Sequence, residues 1–291
     1  MADEFNDLIK VQDYSLHTHT VGFDGQNTVA DMIARAKELG LKSFGVSNHF
    51  IVHPEITKSN FYQPAILGGY ETIYSSSFDE AIAKFVPHYN ELERLADTCG
   101  IKLYRGMELD FFDGAEWLRG FDKMMKTLQP DYIICASHFV EYDGMLRNVY
   151  DIGNANAKSR ADMLKLYWEK LARAAKSGFF NWMAHLNLPK KTGAGTEDCW
   201  AEYEQAAIDE IAKTKTAIEI NTSGYNRGSI EPYPSSRILK MAVSAKVPVL
   251  ISDDAHCAEH IGRHFERGYD FAKSCGITKF LTCEEILSKT Y

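Results

Sequence analysis

Asp13-Tyr14-Ser15-Leu16-His17-Thr18-His19-Thr20 is a short apolar run that ends in two histidines one residue apart. Residues two apart in an extended strand point to the same side, so both imidazoles face one space. Strand-length runs of the same kind, rich in β-branched or aromatic residues, recur along the chain. Residues 13–16 lead into His17, 43–46 into Ser47-Asn48-His49, and 102–107 into Glu108-Leu109-Asp110. Residues 131–135 lead to Ser137-His138 and 179–184 to His185. The run 217–220 continues into Asn221-Thr222-Ser223, and 248–251 into Ser252-Asp253-Asp254-Ala255-His256.

Between most of these runs lie segments with helical spacing: 28–39, 78–98, 158–176, 197–213, 235–245 and 259–274. Asn27 or Thr28 opens the first and Gly40 closes it. Gly100, Gly178 and Gly276 close three others, and Pro87 predicts a kink or break in the second. Strand then helix, repeated, means a parallel α/β fold. The length of 291 residues fits one barrel of alternating strands and helices, read as a single domain over residues 1–291. Two connections, 50–77 and 139–157, are long enough to read as functional loops.

Composition narrows the function. Hydrophobic residues make up 45% of the chain and charged residues 25%, which is globular. The net charge of −8 and the lack of a basic run disfavour a nucleic-acid partner held by its backbone. A small anionic substrate stays open, because metal ions can supply a local positive field. Six scattered cysteines with no CxxC pair predict reduced thiols and a cytoplasmic location. Residues 1–10 carry no signal-peptide pattern, and no run approaches the roughly 18 apolar residues of a membrane span. Nothing in the sequence specifies an oligomeric state.

Six of the ten histidines (His17, His19, His49, His138, His185 and His256) follow predicted strands. In a (β/α) barrel those strand ends converge on one face. With Asp24, Glu108 and Asp254 they make nine potential ligands, more than one zinc site uses and suited to two or three ions sharing a bridging carboxylate. One histidine after one strand is usually a hydrogen-bonded structural residue. Repetition at five strand ends is not explained by packing, because clustered imidazoles are poor core material unless metallated or paired. His53 and His88 read as structural, and His260 and His264, spaced i, i+4, as a solvated helix face.

Together these motifs resemble the polymerase-and-histidinol-phosphatase (PHP) superfamily over nearly the whole chain. The matching residues are HTH at 17–19, the acid at 24, NH at 48–49, GMELD at 106–110, SH at 137–138, AH at 184–185 and DAH at 254–256. Within the superfamily, EINTSG at 219–224 followed by EPYP at 231–234 resembles the histidinol-phosphate phosphatases. The resemblance implies a distorted (β/α)7 TIM-like barrel with a trinuclear centre. It implies one ion on His17, His19, Glu108 and Asp254, a second bridged by Glu108 to His138 and His185, and a third on Asp24, His49 and His256. Asp24 stands where many members have His, and a carboxylate favours a harder ion. Imidazoles suit Zn, Fe or Co, and the added carboxylates admit Mn. Asp254 is the ligand expected from the Asp-Asp pair because it shares a side with His256, so Asp253 is expected to point away and orient a neighbour.

The implied activity is hydrolysis of a small phosphate ester, histidinol phosphate in the closest resemblance, with a hydroxide bridging two ions as nucleophile. Arg227 is the leading phosphate clamp, with Arg160 and Arg263 behind it; for those two a surface ion pair is the stronger expectation. Asp254 or His256 is expected to assist the leaving group. Glu141, Asp143, Tyr62 and Tyr70 read as solvated loop residues that could wall the substrate. The alternatives are a related phosphoesterase acting on another small ester or a nucleotide, a C–N hydrolase of the amidohydrolase type, and a non-catalytic metal-binding protein. A lysine typically bridges in the amidohydrolases after strand four, where this chain has His138. The full ligand set argues against a degenerate scaffold, and the lack of a second domain or basic surface against a polymerase-associated proofreading role.

Overall fold

The computed structural model describes residues 12–288; the reading of residues 1–10 lies outside them. In chain order the strands are β1 (Tyr14–Ser15), β2 (Ser43–Val46), β3 (His49–Val52), β4 (Tyr74–Ser75), β5 (Lys102–Asp110), β6 (Tyr132–Ala136), β7 (Phe139–Tyr142), β8 (Met145–Asn148), β9 (Trp182–Met183), β10 (Ala217–Asn221) and β11 (Val249–Ser252). The helices are α1 (Val29–Glu38), α2 (Tyr62–Gly68), α3 (Phe78–Ala96), α4 (Ala115–Leu128), α5 (Val149–Asn154), α6 (Ala157–Ser177), α7 (Ala201–Thr214), α8 (Ser236–Ser244), α9 (Phe265–Ser274) and α10 (Cys283–Leu287).

Seven parallel strands, in the order β1-β2-β5-β6-β9-β10-β11, form a nearly closed barrel. The last turn back is made beyond β11, where the His19 N–H donates to the Ala255 carbonyl at 2.8 Å and the Ala255 N–H to that of His17 at 3.1 Å. The strand runs anticipate the parallel strands, and the resemblance the distorted seven-stranded barrel they form. β3 continues β2 after a two-residue break: Val46 pairs with Arg105 and His49 with Glu108, the same offset along β5.

Inside the barrel the lower layer is apolar. Tyr14, Leu16, Tyr132, Ile134, Trp182, Ala184 and Leu250 pack together there, and α10 adds Cys283 and Ile286 from below. Tyr132 and Trp182 stack at 5.2 Å, and the Tyr132 hydroxyl donates to the Leu16 carbonyl. The ring needs room on two neighbouring strands. A Cβ at Gly45 would lie 2.2 Å, and one at Gly106 2.1 Å, from its atoms. Above this layer the alternation of β5 brings Glu108 and Asp110 to the inside.

Helix ends follow local chemistry. Thr28 and Asp31 form a capping box on α1, and Gly178 closes α6 with φ 73°. Four expectations change. α3 runs through Pro87 unbroken, because its buried face (Phe78, Ala81, Ile82, Phe85, Tyr89 and Leu92) anchors both halves to the core. The long connections are partly ordered: 50–77 contains α2 and β4, and 139–157 contains the antiparallel β7–β8 hairpin and α5. α4 was not foreseen. The last predicted helix is split, with Ala258–His260 a 3-10 turn and His264 left-handed (φ 62°) before α9, so His260 and His264 share no helix face.

Gly106→Ala is expected to lower stability by about 1–3 kcal/mol, because Tyr132 is held against Trp182 and cannot yield. A urea denaturation midpoint equal to that of the unsubstituted chain would contradict this account.

Candidate metal centre

Glu108 sits under the open end of the barrel with five imidazoles around it. Its Oε1 lies 2.8 Å from His185 Nε2 and 3.8 Å from His138 Nε2. Its Oε2 lies 2.7 Å from His49 Nδ1, 3.4 Å from His17 Nε2 and 3.6 Å from His19 Nε2. The rings form a closed circuit: centroids are 5.3 Å apart for His17 and His19, 4.5 Å for His19 and His49, 4.9 Å for His49 and His138, 5.1 Å for His138 and His185, and 5.9 Å for His185 and His17. His256 stacks on His19 at 4.2 Å from the outside.

Two further carboxylates face this circuit. Asp254 Oδ1 is 3.2 Å from His19 Nε2 and 3.7 Å from His17 Nε2. Asp24 Oδ2 is 3.1 Å from both His49 Nε2 and His256 Nε2. All nine sequence-predicted donors therefore meet in one place. Their atoms form four overlapping groups of metal-binding compactness: His19, Asp24, His49 and His256; His17, Glu108 and His185; His17, His19 and Asp254; and His49, Glu108 and His138. This differs from the implied partition at two points. His49 turns one ring nitrogen toward Glu108 and the other toward Asp24, and His185 groups with His17.

The rings are aimed by residues outside the nine. Glu219, fully buried, accepts from His17 Nδ1, from Trp182 Nε1 and from the His185 N–H, each at 2.9 Å, and from Asn221 Nδ2 at 2.7 Å. Asp110 accepts from His138 Nδ1 at 2.7 Å and from the His138 N–H at 2.9 Å. His256 Nδ1 donates to the Asp254 carbonyl at 2.9 Å. These acceptors fix Nδ1 as the protonated nitrogen of His17, His138 and His256 and leave Nε2 as the ligating atom, as oriented metal ligands require. Asp253 points away from the cluster, as expected, and accepts from Ser15 Oγ at 3.0 Å and the Gly262 N–H at 2.7 Å. His185 (φ 23°) and Asp254 (φ 51°) hold left-handed backbone that non-glycine residues seldom adopt.

The donor set fits divalent ions. His17 Nε2, both ring nitrogens of His19, Asp24 Oδ1 and His185 Nδ1 are buried without a hydrogen-bond partner, and His49 Nδ1 and Glu108 Oε2 face each other at 2.7 Å without hydrogen-bond geometry. Such atoms are costly to leave unpaired. Burial opposes ionisation of Glu108, yet His49, His17 and His138 hold its pKa well below the usual range. Burial opposes charging His256 too, but Asp24 outweighs it and lifts the pKa to about 9. His17 and His49 are likewise raised against their burial, chiefly by Glu219 and by Asp24 respectively. His19, buried and flanked by His256 and His49, falls to about 4. Without metal the carboxylates therefore recruit protons onto neighbouring imidazoles, the protons that cations would displace.

A cleft of about 420 Å3 opens onto the cluster. Asp24, His49, His138, His185, Asp254 and His256 line its floor; Asn148, Tyr150, Lys191, Ser223, Asn226, Tyr233 and His260 line its wall. His260 thus faces the cleft and not a solvated helix. Arg160 turns its guanidinium to the Gly153 and Ala155 carbonyls at the end of α5, and Arg263 contacts His264; neither lines the cleft. The Arg227 side chain lies outside the described residues. His53 pairs with Glu141 at 3.1 Å, and His88 Nε2 lies 3.1 Å from Asn48 Nδ2, both structural roles as expected. Asp110 was within reach of the sequence, because it stands two after Glu108 in the same strand. Glu219 carried a weaker signal, an acid inside an apolar run. Lys191 had none.

A family model described as PHP domain matches residues 13–223. A protein of Deinococcus radiodurans described as "Probable histidinol-phosphatase" is 28% identical over 160 residues, 55% of this chain and 60% of that protein. One of Schizosaccharomyces pombe with the same description is 23% identical over 93% of this chain and 89% of its own length. Among solved structures, histidinol phosphate phosphatase from Lactococcus lactis, complexed with zinc, L-histidinol and phosphate, superposes with a TM-score of 0.65 at 15% identity, covering 94% of this chain and 98% of that one. A Listeria monocytogenes structure described as "putative histidinol phosphatase hisK" gives 0.64 at 18% identity, over 87% of this chain and 99% of that one.

Metal uptake is expected to release protons, with apparent affinity rising as pH rises toward about 9, because imidazolium must lose its proton to ligate. Calorimetry in buffers of different protonation enthalpy measures this directly; pH-independent uptake with no proton release would contradict the electrostatics described. His17→Ala should lower metal content while the far-UV circular dichroism stays that of the folded chain.

Proposed function

The chain belongs to the PHP domain family, and from that membership we propose that it is a metal-dependent phosphomonoesterase that hydrolyses L-histidinol phosphate to L-histidinol and phosphate. The observation that carries the reading is the cleft: its floor is donors of metal-ligand type, and among the described residues its wall bears one lysine, Lys191, and no arginine. At about 420 Å3 it suits a small ester better than a polymer. The names of the relatives and the zinc, L-histidinol and phosphate bound by the Lactococcus protein support the choice of ester.

In this reading three divalent ions (Zn, Fe or Mn) would be held, with Glu108 as the carboxylate shared at their centre. His17, His19 and Asp254 would hold the first, His138 the second, and Asp24 and His256 the third, with His49 between the last two and His185, which groups with His17 and Glu108, between the first two. Ions so held would supply an acidified water and would neutralise phosphate charge. The protein's own groups do the rest. Lys191 draws the phosphate to the cleft wall, where Asn226 and Ser223 are hydrogen-bonding partners for its oxygens. Arg227 is proposed as a second clamp. Asp254 and His256, both lining the cleft, are proposed to assist departure of the ester oxygen; of the two side chains His256 is the more exposed, 32% against 14%. Glu219 and Asp110 keep the imidazoles aimed while charge shifts on phosphorus. The reaction is read as cytoplasmic and within one barrel domain.

Purified protein supplied with Mn or Zn is expected to release phosphate from histidinol phosphate with a higher kcat/KM than from nucleoside monophosphates or sugar phosphates. A nucleotide or sugar phosphate as best substrate would overturn the choice of ester, and no phosphate release from any of them would overturn the activity. Lys191→Ala should lower kcat/KM by about 10- to 100-fold, the loss of one charged hydrogen bond, with metal content unchanged. Arg227→Ala should behave alike, and unchanged kinetics in either variant would remove that residue from the site.

A further inference from the structure

Lys170 lies on the buried face of α6 among Met163, Leu164, Tyr167, Trp168, Leu171 and Ala174, with 5% of its surface exposed. Lysines are almost never this buried unless they are paired. Its Nζ donates to the Phe139 carbonyl at 2.8 Å, lies 3.3 Å from Asp110 Oδ1, and sits 3.9 Å from the centre of the Phe112 ring. Both polar contacts bear on the same place. Phe139 is the residue after His138, and Asp110 accepts from the His138 ring and backbone. One ammonium therefore grips the carbonyl side of His138 and the carboxylate that orients its ring.

A buried ion pair as such is weak evidence for stability, since both partners together can often be replaced by apolar residues; removing one partner alone leaves the other charge buried and uncompensated. A methionine at 170 would suit its apolar neighbours and leave Phe139 and Asp110 without a cation. What the charge adds is direction. With Lys170 against Oδ1, Asp110 keeps Oδ2 for His138 Nδ1, and His138 Nε2 is left facing Glu108 Oε1 at 3.8 Å.

We propose that Lys170 is a positioning residue for the metal centre, acting through Asp110 to hold the His138 ring with Nε2 toward Glu108. The inference rests on the metal-centre reading above. Lys170 touches no substrate, so its loss should change metal retention and kcat and leave KM alone.

The test compares Lys170→Met and Lys170→Gln with the wild-type protein, all loaded with Mn or Zn and dialysed against a chelator. Folding is followed by circular dichroism. The expected result is at least one folded variant that binds one ion about 10- to 100-fold more weakly, retains the others, and has a lowered kcat at unchanged KM. Cobalt-loaded variant should also show a changed visible spectrum, which a purely structural role would not produce. Full metal retention with wild-type kcat in a folded variant would overturn the proposal. So would failure of both variants to fold, because Lys170 would then serve the fold and not His138. A wild-type protein that takes up no metal would overturn the metal-centre reading itself, a result distinguishable from a metal-replete wild type with indifferent variants.

Discussion

Everything at the open end of the barrel is arranged around one buried carboxylate. Glu108 is 1% exposed and has five imidazole nitrogens within 3.8 Å of its two oxygens. A carboxylate taken out of water is strongly destabilised unless positive charge and hydrogen bonds replace its hydration. Neutral imidazoles supply only part of that. The remainder must come from protons on the histidines or from cations among them, and the unpartnered nitrogens of His17, His19 and His185 are the places where cations fit.

Acids behind the imidazoles make that arrangement directional. An imidazole can offer either nitrogen, and an unconstrained cluster would settle into many hydrogen-bonded states. Glu219 and Asp110 each bind one Nδ1 and remove that freedom from His17 and His138; the Asp254 carbonyl does the same for His256. The left-handed backbone at His185 and Asp254 shows the chain departing from relaxed geometry where the donors converge. Local strain of this kind persists when surrounding contacts over-determine it, and here the Glu219 bond to the His185 N–H and the Asn221 and Ser223 bonds to the Asp254 carboxylate supply them.

The lower barrel performs a complementary task. Tyr132, Trp182, Leu16 and Leu250 fill the interior below the polar cluster, and the cleft opens onto that cluster from the other end. Gly45 and Gly106 belong to that task, since they make room for the Tyr132 ring. Gly106 and Glu108, two apart on β5, share the inner side of the strand: one admits the aromatic plug and the other carries the central charge. Packing and chemistry are thus set by the same alternation.

The sequence by itself determined the seven barrel strands, most of the helices and all nine donors that the fold brings together, because strand alternation and strand-end position are local properties. It pointed to Asp253 turning away from Asp254 for the same reason. Only the tertiary structure decided which acid aims which ring, since Glu219 and His17 are 202 residues apart and meet through barrel closure. It also decided that Arg160 caps a helix, that Lys191 and His260 face the cleft, and that Lys170 reaches Asp110 across 60 residues. Those relations depend on how strands register around the barrel and how helices pack outside it, and no run of neighbouring residues encodes either one.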